Sequence, residues 1–257
     1  MKINLQAAES GHLQQPGTRK MLRAALALFV LWWALLLVFY LWPDIDLAVA
    51  SAFFEPGPCT GAHAQSTVCG SFPWSQDPLA VAVRKVFFYV PAAAGALLLG
   101  ILVNGLARRS AAYGAARLQQ LGLALAALLL GPYVLVNLLL KSFSGRPRPY
   151  QTDLFGGDLP FVPAGSFMGQ CDNNCSFISG EAAGAGWVAC LLLFLPAKLR
   201  PVLAPPILVV ALVTPAMRLA FGGHYLSDVV LGWLSSLVIF AAVFAVFEIS
   251  RKRKIER

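Results

Sequence analysis

Charge is scarce in this chain. Asp, Glu, Lys and Arg make up 12% of its 257 residues, and histidine occurs only at His12, His63 and His224. Combined with 58% apolar residues, that scarcity excludes an ordinary soluble domain, whose apolar share is nearer half. Also missing are a carboxylate cluster of the kind that holds magnesium, a convincing internal repeat, and a small-residue cleavage site after the first apolar run, which ends in Trp42-Pro43-Asp44. The first absence argues against a metal centre and the second against a repeat array. The third makes the first run a retained helix. Cys171 and Cys175 with only Asp172 beside them fall short of the four ligands of a structural zinc site.

What the chain has is long apolar runs, at roughly 21–42, 86–106, 119–140, 181–197, 201–220 and 227–248. Each approaches or exceeds the roughly 20 residues a helix needs to cross a bilayer. They predict an all-α integral membrane protein with six transmembrane helices. The net charge of +8 raises the question of nucleic acid, and the placement of the basic residues answers it. Arg19, Lys20 and Arg23, then Arg108, Arg109 and Arg117, then Lys198 and Arg200, then Arg251 to Lys254 all fall on the side of the N-terminus. The basic excess is therefore a topology signal and no nucleic-acid patch. It puts both termini in the cytoplasm.

The predicted organisation is a flexible cytoplasmic tail over 1–20, one six-helix membrane domain over 21–250, and a basic cytoplasmic tail over 251–257 that serves as a stop-transfer anchor. The first outer loop, 43–85, is long enough to carry structure, and a short helix is predicted near 46–54. Trp32, Trp33, Tyr40, Trp42 and Trp74 read as interfacial anchors. Small residues at helical spacing, Gly180, Ala183 and Gly184, predict close packing of the fourth helix. Cys59, Cys69, Cys171 and Cys175 fall in outer loops, and only Cys190 in a helix. Close pairs in an oxidising compartment suggest Cys59–Cys69 and Cys171–Cys175 bridges, although four cysteines allow three connectivities and the sequence does not choose.

Three short segments hold ionisable residues where hydrocarbon would otherwise be expected, and such residues rarely sit there without a function. Lys141 to Pro149 reads KSFSGRPRP, Ser176 to Glu181 reads SFISGE, and Arg218 to Asp228 reads RLAFGGHYLSD. All three lie on the predicted outer face. Gly145, Pro147 and Pro149 impose a rigid bend that aims Lys141 and Arg148 at one oxyanion, a point charge beside a planar fork of donors. A loop resting on lipid headgroups accounts for Lys141 and Arg146 but not for the bend. Ser179 fits an N-cap, which turns the backbone N–H groups of Gly180 and Glu181 outward as an anion site; a plain capped helix start fits it equally. His224 and Asp228 stand at i and i+4, so the carboxylate can hold one imidazole nitrogen while the other faces phosphorus.

On these residues the chain resembles the type 2 phosphatidic acid phosphatase family, which is related to vanadium haloperoxidases and bacterial acid phosphatases. The family signature is KxxxxxxRP, then PSGH, then SRxxxxxHxxxD. Lys141, Arg148 and Pro149 meet the first part, and Arg218, His224 and Asp228 meet the third, with Met217 where serine is usual. The resemblance implies metal-independent, cofactor-free phosphoester hydrolysis through a phosphohistidine on His224. Asp228 would orient that histidine, and Lys141, Arg148, Ser179, Gly180 and Arg218 would bind phosphate. The second part departs from the pattern, with Ile178 for proline and Glu181 for the histidine that protonates the leaving oxygen. Three roles stay open there: Glu181 as the acid, a water in its place, or Glu181 as a recognition group.

The resemblance also implies a bacterial inner membrane, an active site facing the periplasm, and a membrane lipid phosphate as substrate. Lipid A, undecaprenyl diphosphate and phosphatidylglycerol phosphate are the candidates. A phosphotransferase using the same histidine, and an inactive protein that binds anionic lipid, are the competing readings. A transporter fits poorly, because the ionisable residues gather at one face and not at the midplane. The oligomeric state is not legible in the sequence.

Overall fold

The computed structural model describes residues 18–59, 68–107 and 114–255. The predicted tail up to residue 17, His12 and His63 lie outside the described residues. Among those described, the chain is mostly helical: α1 Thr18–Leu41, α2 Asp44–Ser51, α3 Pro78–Ala107, α4 Ala115–Leu128, α5 Lys141–Phe143, α6 Gly180–Cys190, α7 Arg200–Ala220 and α8 Leu226–Ile255. A two-stranded antiparallel ribbon pairs β1 (Glu55–Pro56) with β2 (Gly70–Ser71). The predicted short helix near 46–54 is α2, which starts two residues earlier.

α4 and α5 are the ends of one rod, Ala115–Phe143, whose middle, Leu129–Leu140, is a wide π-helix. Pro132 lacks the N–H that an α-turn needs, and the wider turn absorbs the defect. The Asn137 side chain donates to the Pro132 carbonyl at 2.9 Å, closing the gap. The rod ends with Lys141 at the mouth of the site described below.

Among the described residues, five helices are long and apolar enough to cross a membrane: Lys20–Leu41, Pro78–Ala107, Ala115–Phe143, Arg200–Ala220 and Leu226–Arg253. The fourth predicted run behaves differently. α6 with one further 3-10 turn covers Gly180–Phe194, and Pro196 soon stops it. At about 1.5 Å per residue such a helix falls short of the roughly 30 Å of a bilayer core. It is instead the central post of the bundle, with Ala182 to Val188 all buried. Its alanines and glycines let neighbours close in on every side. A Cβ at Gly184 would stand 2.9 Å from the Pro91 ring, and one at Gly186 would stand 2.4 Å from the Trp233 carbonyl. The Trp187 indole, fully enclosed, donates to the Ala124 carbonyl of α4 at 2.8 Å.

α1 lies along α8. Trp32 leaves the predicted aromatic belt, because its indole donates to the Leu231 carbonyl at 3.0 Å and to Ser235 Oγ at 3.1 Å. Trp33, Tyr40, Trp42 and Trp74 are exposed, as anchors would be. At one end of the bundle, Ala50, Phe72, Phe155 and Tyr225 form a separate apolar cap that joins the first long connection to the α7–α8 corner. Of the three possible connectivities, the bridges are Cys59–Cys69 and Cys171–Cys175.

α8 meets the start of α6 at Gly232, where an added Cβ would lie 2.5 Å from the Ser179 carbonyl. Overpacking of this kind costs about 1–3 kcal/mol. Gly232→Ala is expected to lower the melting midpoint in detergent and to reduce activity together, because the displaced backbone carries the α6 cap. Unchanged melting would refute this contact.

Candidate active site

The site is built at the end of the bundle where three irregular corners meet. The first is the bend after α5. Gly145 sits at φ +59°, and a Cβ there would come within 2.4 Å of the Gly169 carbonyl, so the bend requires glycine. Its carbonyl accepts the Cys171 N–H at 2.9 Å, and the Arg146 carbonyl accepts the Ser176 N–H at 2.8 Å. The bend is thereby zipped to the segment that leads into α6. The second corner is the α6 start, where the Ser179 hydroxyl accepts the Ala182 N–H at 3.3 Å and the Ser179 N–H donates to the Asp228 carbonyl at 2.9 Å. The third is the α7–α8 corner, with Gly222 at φ +61° against the Phe72 ring.

Beneath the site lies a fully buried charge network. The Arg146 guanidinium donates to the Val162 carbonyl at 2.8 Å, to Ser227 Oγ at 2.8 Å, to Asp228 Oδ1 at 2.7 Å and to Asp46 Oδ2 at 2.8 Å. Asp46 in turn accepts the Ser227 N–H at 2.8 Å and the Ser227 hydroxyl at 2.6 Å. The Tyr225 ring covers the guanidinium with its centroid 4.5 Å away. Burial alone would lower the Arg146 pKa, but Asp228 and Asp46 outweigh it and raise it. A headgroup contact for Arg146 is thus overturned: its side chain has no exposure at all.

His224 stands on this network. Its Nδ1 lies 2.8 Å from the Ser176 carbonyl, an atom that only accepts, so Nδ1 carries the proton and Nε2 keeps the lone pair. The expectation that Asp228 itself holds the imidazole is modified, since Asp228 Oδ2 is 3.8 Å from Nδ1, beyond hydrogen-bond reach. The carboxylate acts through its neighbour instead. Its Oδ2 accepts the Ser176 hydroxyl and, at 3.0 Å, the Tyr225 N–H. Burial first, opposed by Asp228 but helped by Arg218 and Arg148, pushes the His224 pKa down to about 3.

Above the imidazole lie the cations. Arg148 donates to the Asn174 carbonyl at 3.0 and 2.8 Å and to its side-chain oxygen at 2.9 Å, and Lys141 Nζ approaches the same side-chain oxygen at 3.4 Å. Asn174, inside the Cys171–Cys175 loop, therefore gathers both. Arg218 is buried, with Nε 3.4 Å from Glu181 Oε1 yet without a hydrogen bond of good geometry. Glu181 is a two-point acceptor for Arg84 of α3: Arg84 Nε donates to Oε2 at 3.2 Å and Nη2 donates to Oε1.

Lys141, Arg148, Gly180, Glu181, Arg218 and His224 line one cavity of about 560 Å³, which continues between α3, α4 and α6 past Phe88, Leu128 and Tyr133. That volume lies within the roughly 300–1,000 Å³ of typical ligand pockets. One end is cationic and the other apolar, the shape of an amphiphile with an anionic head. Asp46, Arg84, Asn174 and Ser176 belong to the site but carry no role in the sequence reading. Ser176 opens the second segment and Asn174 lies two residues before it, which was a usable signal. Asp46 and Arg84 sit far from every motif and gave none.

Two outcomes follow from this geometry. Arg146→Ala leaves two carboxylates buried without a counter-charge, which costs about 3–5 kcal/mol. The expected result in a thermal-melting assay is loss of folded protein in detergent, and a near-native midpoint would show the network to be dispensable. A variant lacking His12 and His63 leaves His224 as the sole histidine reporter. Its nitrogen-15 imidazole signals are expected to remain those of the neutral ring as pH falls through the ordinary midpoint of about 6.5. Titration near that value would refute the buried neutral state.

Comparison with known proteins places this geometry in a family. The model of the PAP2 superfamily matches residues 119–252. The lipid A 4'-phosphatase of Rhizobium leguminosarum is 49% identical over 227 residues, covering 88% of this chain and 97% of that protein. The lipid A 4'-phosphatase of Rhizobium etli is 48% identical over 231 residues, covering 90% of each. The one from Francisella tularensis subsp. novicida is 33% identical over 123 residues, covering 45% of this chain and 54% of that protein. Among solved structures, the transmembrane PAP2-type phosphatidylglycerolphosphate phosphatase of Bacillus subtilis superposes with a TM-score of 0.51 at 19% identity, covering 88% of this chain and 96% of that one. It shares the fold. The family match and the relatives of nearly half identity together establish that the chain belongs to the PAP2 superfamily.

Proposed function

We propose that this chain is a membrane phosphatase that removes the 4'-phosphate of lipid A through a phosphohistidine on His224, at the outer face of a bacterial inner membrane. The observation that carries the substrate is the 49% identity, over 97% of its length, to a lipid A 4'-phosphatase. The cavity supports the chemistry, because phosphoryl transfer depends mainly on positioning and on charge placed where the transition state needs it. In this reading both termini are cytoplasmic. The chain passes the bilayer six times within 21–250, the short α6 making the fourth pass together with the residues that follow it to Leu199 and shielded by its neighbours, and 251–257 is the basic tail.

Lys141, Arg148 and Arg218 hold the phosphoryl oxygens, and the N–H groups of Gly180 and Glu181 add the donors of the α6 terminus, while Ser179 caps the helix and gives its own N–H to the Asp228 carbonyl. The neutral His224 directs its Nε2 lone pair at phosphorus. Asp228 and Ser176 fix the ring's tautomer, so the attacking nitrogen is chosen before substrate arrives. Glu181 serves recognition and positioning, because both its oxygens already accept from Arg84.

The test is phosphate release by detergent-purified protein with chelator present and no acceptor lipid. Lipid A is expected to lose one phosphate, mapped by mass spectrometry to the 4' position, and His224→Ala is expected to abolish the release. Release from phosphatidylglycerol phosphate or undecaprenyl diphosphate but not from lipid A would overturn the substrate. Turnover only in the presence of an acceptor would make the protein a phosphotransferase.

A further inference from the structure

Glu181 occupies the position at which the family signature has a histidine, and the structure shows what the glutamate holds. Its carboxylate clamps Arg84 at two points, and the same carboxylate stands 3.4 Å from Arg218. Arg84 belongs to none of the three motifs, lies outside the segment matched by the family model, and comes from a helix that otherwise reads as a plain membrane span. Yet it lines the same cavity as His224, Lys141, Arg148 and Arg218. Its side chain keeps 30% exposure, while Glu181 keeps 10%. The clamp therefore presents a cation to the cavity without sealing it off. The Phe221 ring, 5.8 Å from the guanidinium carbon, supports it from the α7 end.

We propose that Arg84, held by Glu181, is a catalytic residue that stabilises the departing ester oxygen, taking over by charge what the family's histidine does by proton donation. The inference rests on the phosphatase reading above. Nε2 of His224 attacks phosphorus and the bond from phosphorus to the ester oxygen breaks, its electron pair passing to that oxygen. The Arg84 guanidinium donates hydrogen bonds to the developing alkoxide. A water molecule then protonates the alkoxide to the free alcohol and becomes hydroxide. That hydroxide attacks the phosphohistidine, breaks the phosphorus–nitrogen bond, and returns neutral His224 and inorganic phosphate. Substrate and one water enter, and alcohol and phosphate leave. Glu181 transfers no proton in either half. An Arg fork suits this task because it remains charged and aims several donors from one plane.

The prediction separates leaving groups. An aryl ester such as 4-nitrophenyl phosphate expels a weakly basic oxygen that needs little help, whereas an alkyl or sugar phosphate expels a strongly basic one. Removing one donor from a developing oxyanion costs about 10²–10³ in kcat. Arg84→Ala is expected to lose about that factor on the alkyl ester and at most about tenfold on 4-nitrophenyl phosphate. Arg84→Lys, which keeps a charge but not the fork, is expected to show the same selectivity with a smaller loss, and it supplies folded protein should the alanine variant melt. Glu181→Gln is expected to lose less than Arg84→Ala on the alkyl ester and to leave the shape of the pH–kcat profile unchanged.

An equal loss on both esters in the Arg84 variants would reduce Arg84 to phosphate binding or structure and overturn the proposal. A Glu181→Gln loss larger than that of Arg84→Ala, confined to the alkyl ester and accompanied by disappearance of the basic limb of the pH profile, would make Glu181 the acid and overturn it as well. Wild-type protein that releases phosphate from neither ester would sink the phosphatase reading itself, a result distinct from both.

Discussion

The whole active end of this molecule hangs on one guanidinium. Arg146 is enclosed on all sides, and its donors fix α2 through Asp46, the start of α8 through Ser227 and Asp228, and the long connection before α6 through the Val162 carbonyl. Removing a charge of this size from water is costly, and only good geometry with several partners offsets the cost. Two carboxylates and an aromatic face supply that geometry here. The gain is less a matter of stability than of register, since three segments distant in sequence can meet in only one way. His224, four residues before Asp228, inherits its position from that meeting.

The arrangement also explains how a histidine can be strongly shifted and still useful. A buried imidazole next to an unshielded carboxylate would be drawn toward the charged form, which has no lone pair to offer. Asp228 is instead saturated by Arg146, Ser176 and the Tyr225 N–H, and at 3.8 Å its Oδ2 makes no hydrogen bond to the imidazole, so its pull on the ring is weakened. Its charge is neutralised below the ring, while Lys141 and Arg148, held by the neutral Asn174, stand above it. The imidazole therefore sits between a neutralised floor and a cationic roof, which keeps it neutral and favours an anion at the open side.

Much of this was legible in the sequence. Lys141, Arg148, Arg218 and His224 sit where apolar runs end, and ends of neighbouring helices lie together in a bundle, so spacing alone brings them to one face. Ser179 reads as a cap from its own chemistry, and the capping bond exists. Illegible were the contacts that join distant segments. Arg84 lies 97 residues from Glu181 and Asp46 lies 100 from Arg146, and no local pattern marks either partner. Trp32 fits an interfacial belt by type, yet it faces α8 because Ser235 and the Leu231 carbonyl offer acceptors there. The fourth apolar run looks like any other span. Its alanines and glycines show small volume but not that four helices close around it.

α6 has almost no surface in contact with lipid, and this bears on how the protein meets its membrane. Spanning helices tilt, shift and stretch to match the thickness of the bilayer around them, at fractions of a kcal/mol per ångström. A helix wrapped in protein is insulated from that adjustment. The lipid-facing α1 can follow a thicker or thinner leaflet while the capped start of α6, tied to α8 through Ser179 and to Arg84 of α3 through Glu181, holds its depth. The chemistry is thus mechanically isolated from the solvent that surrounds it, although its substrate is drawn from that same solvent.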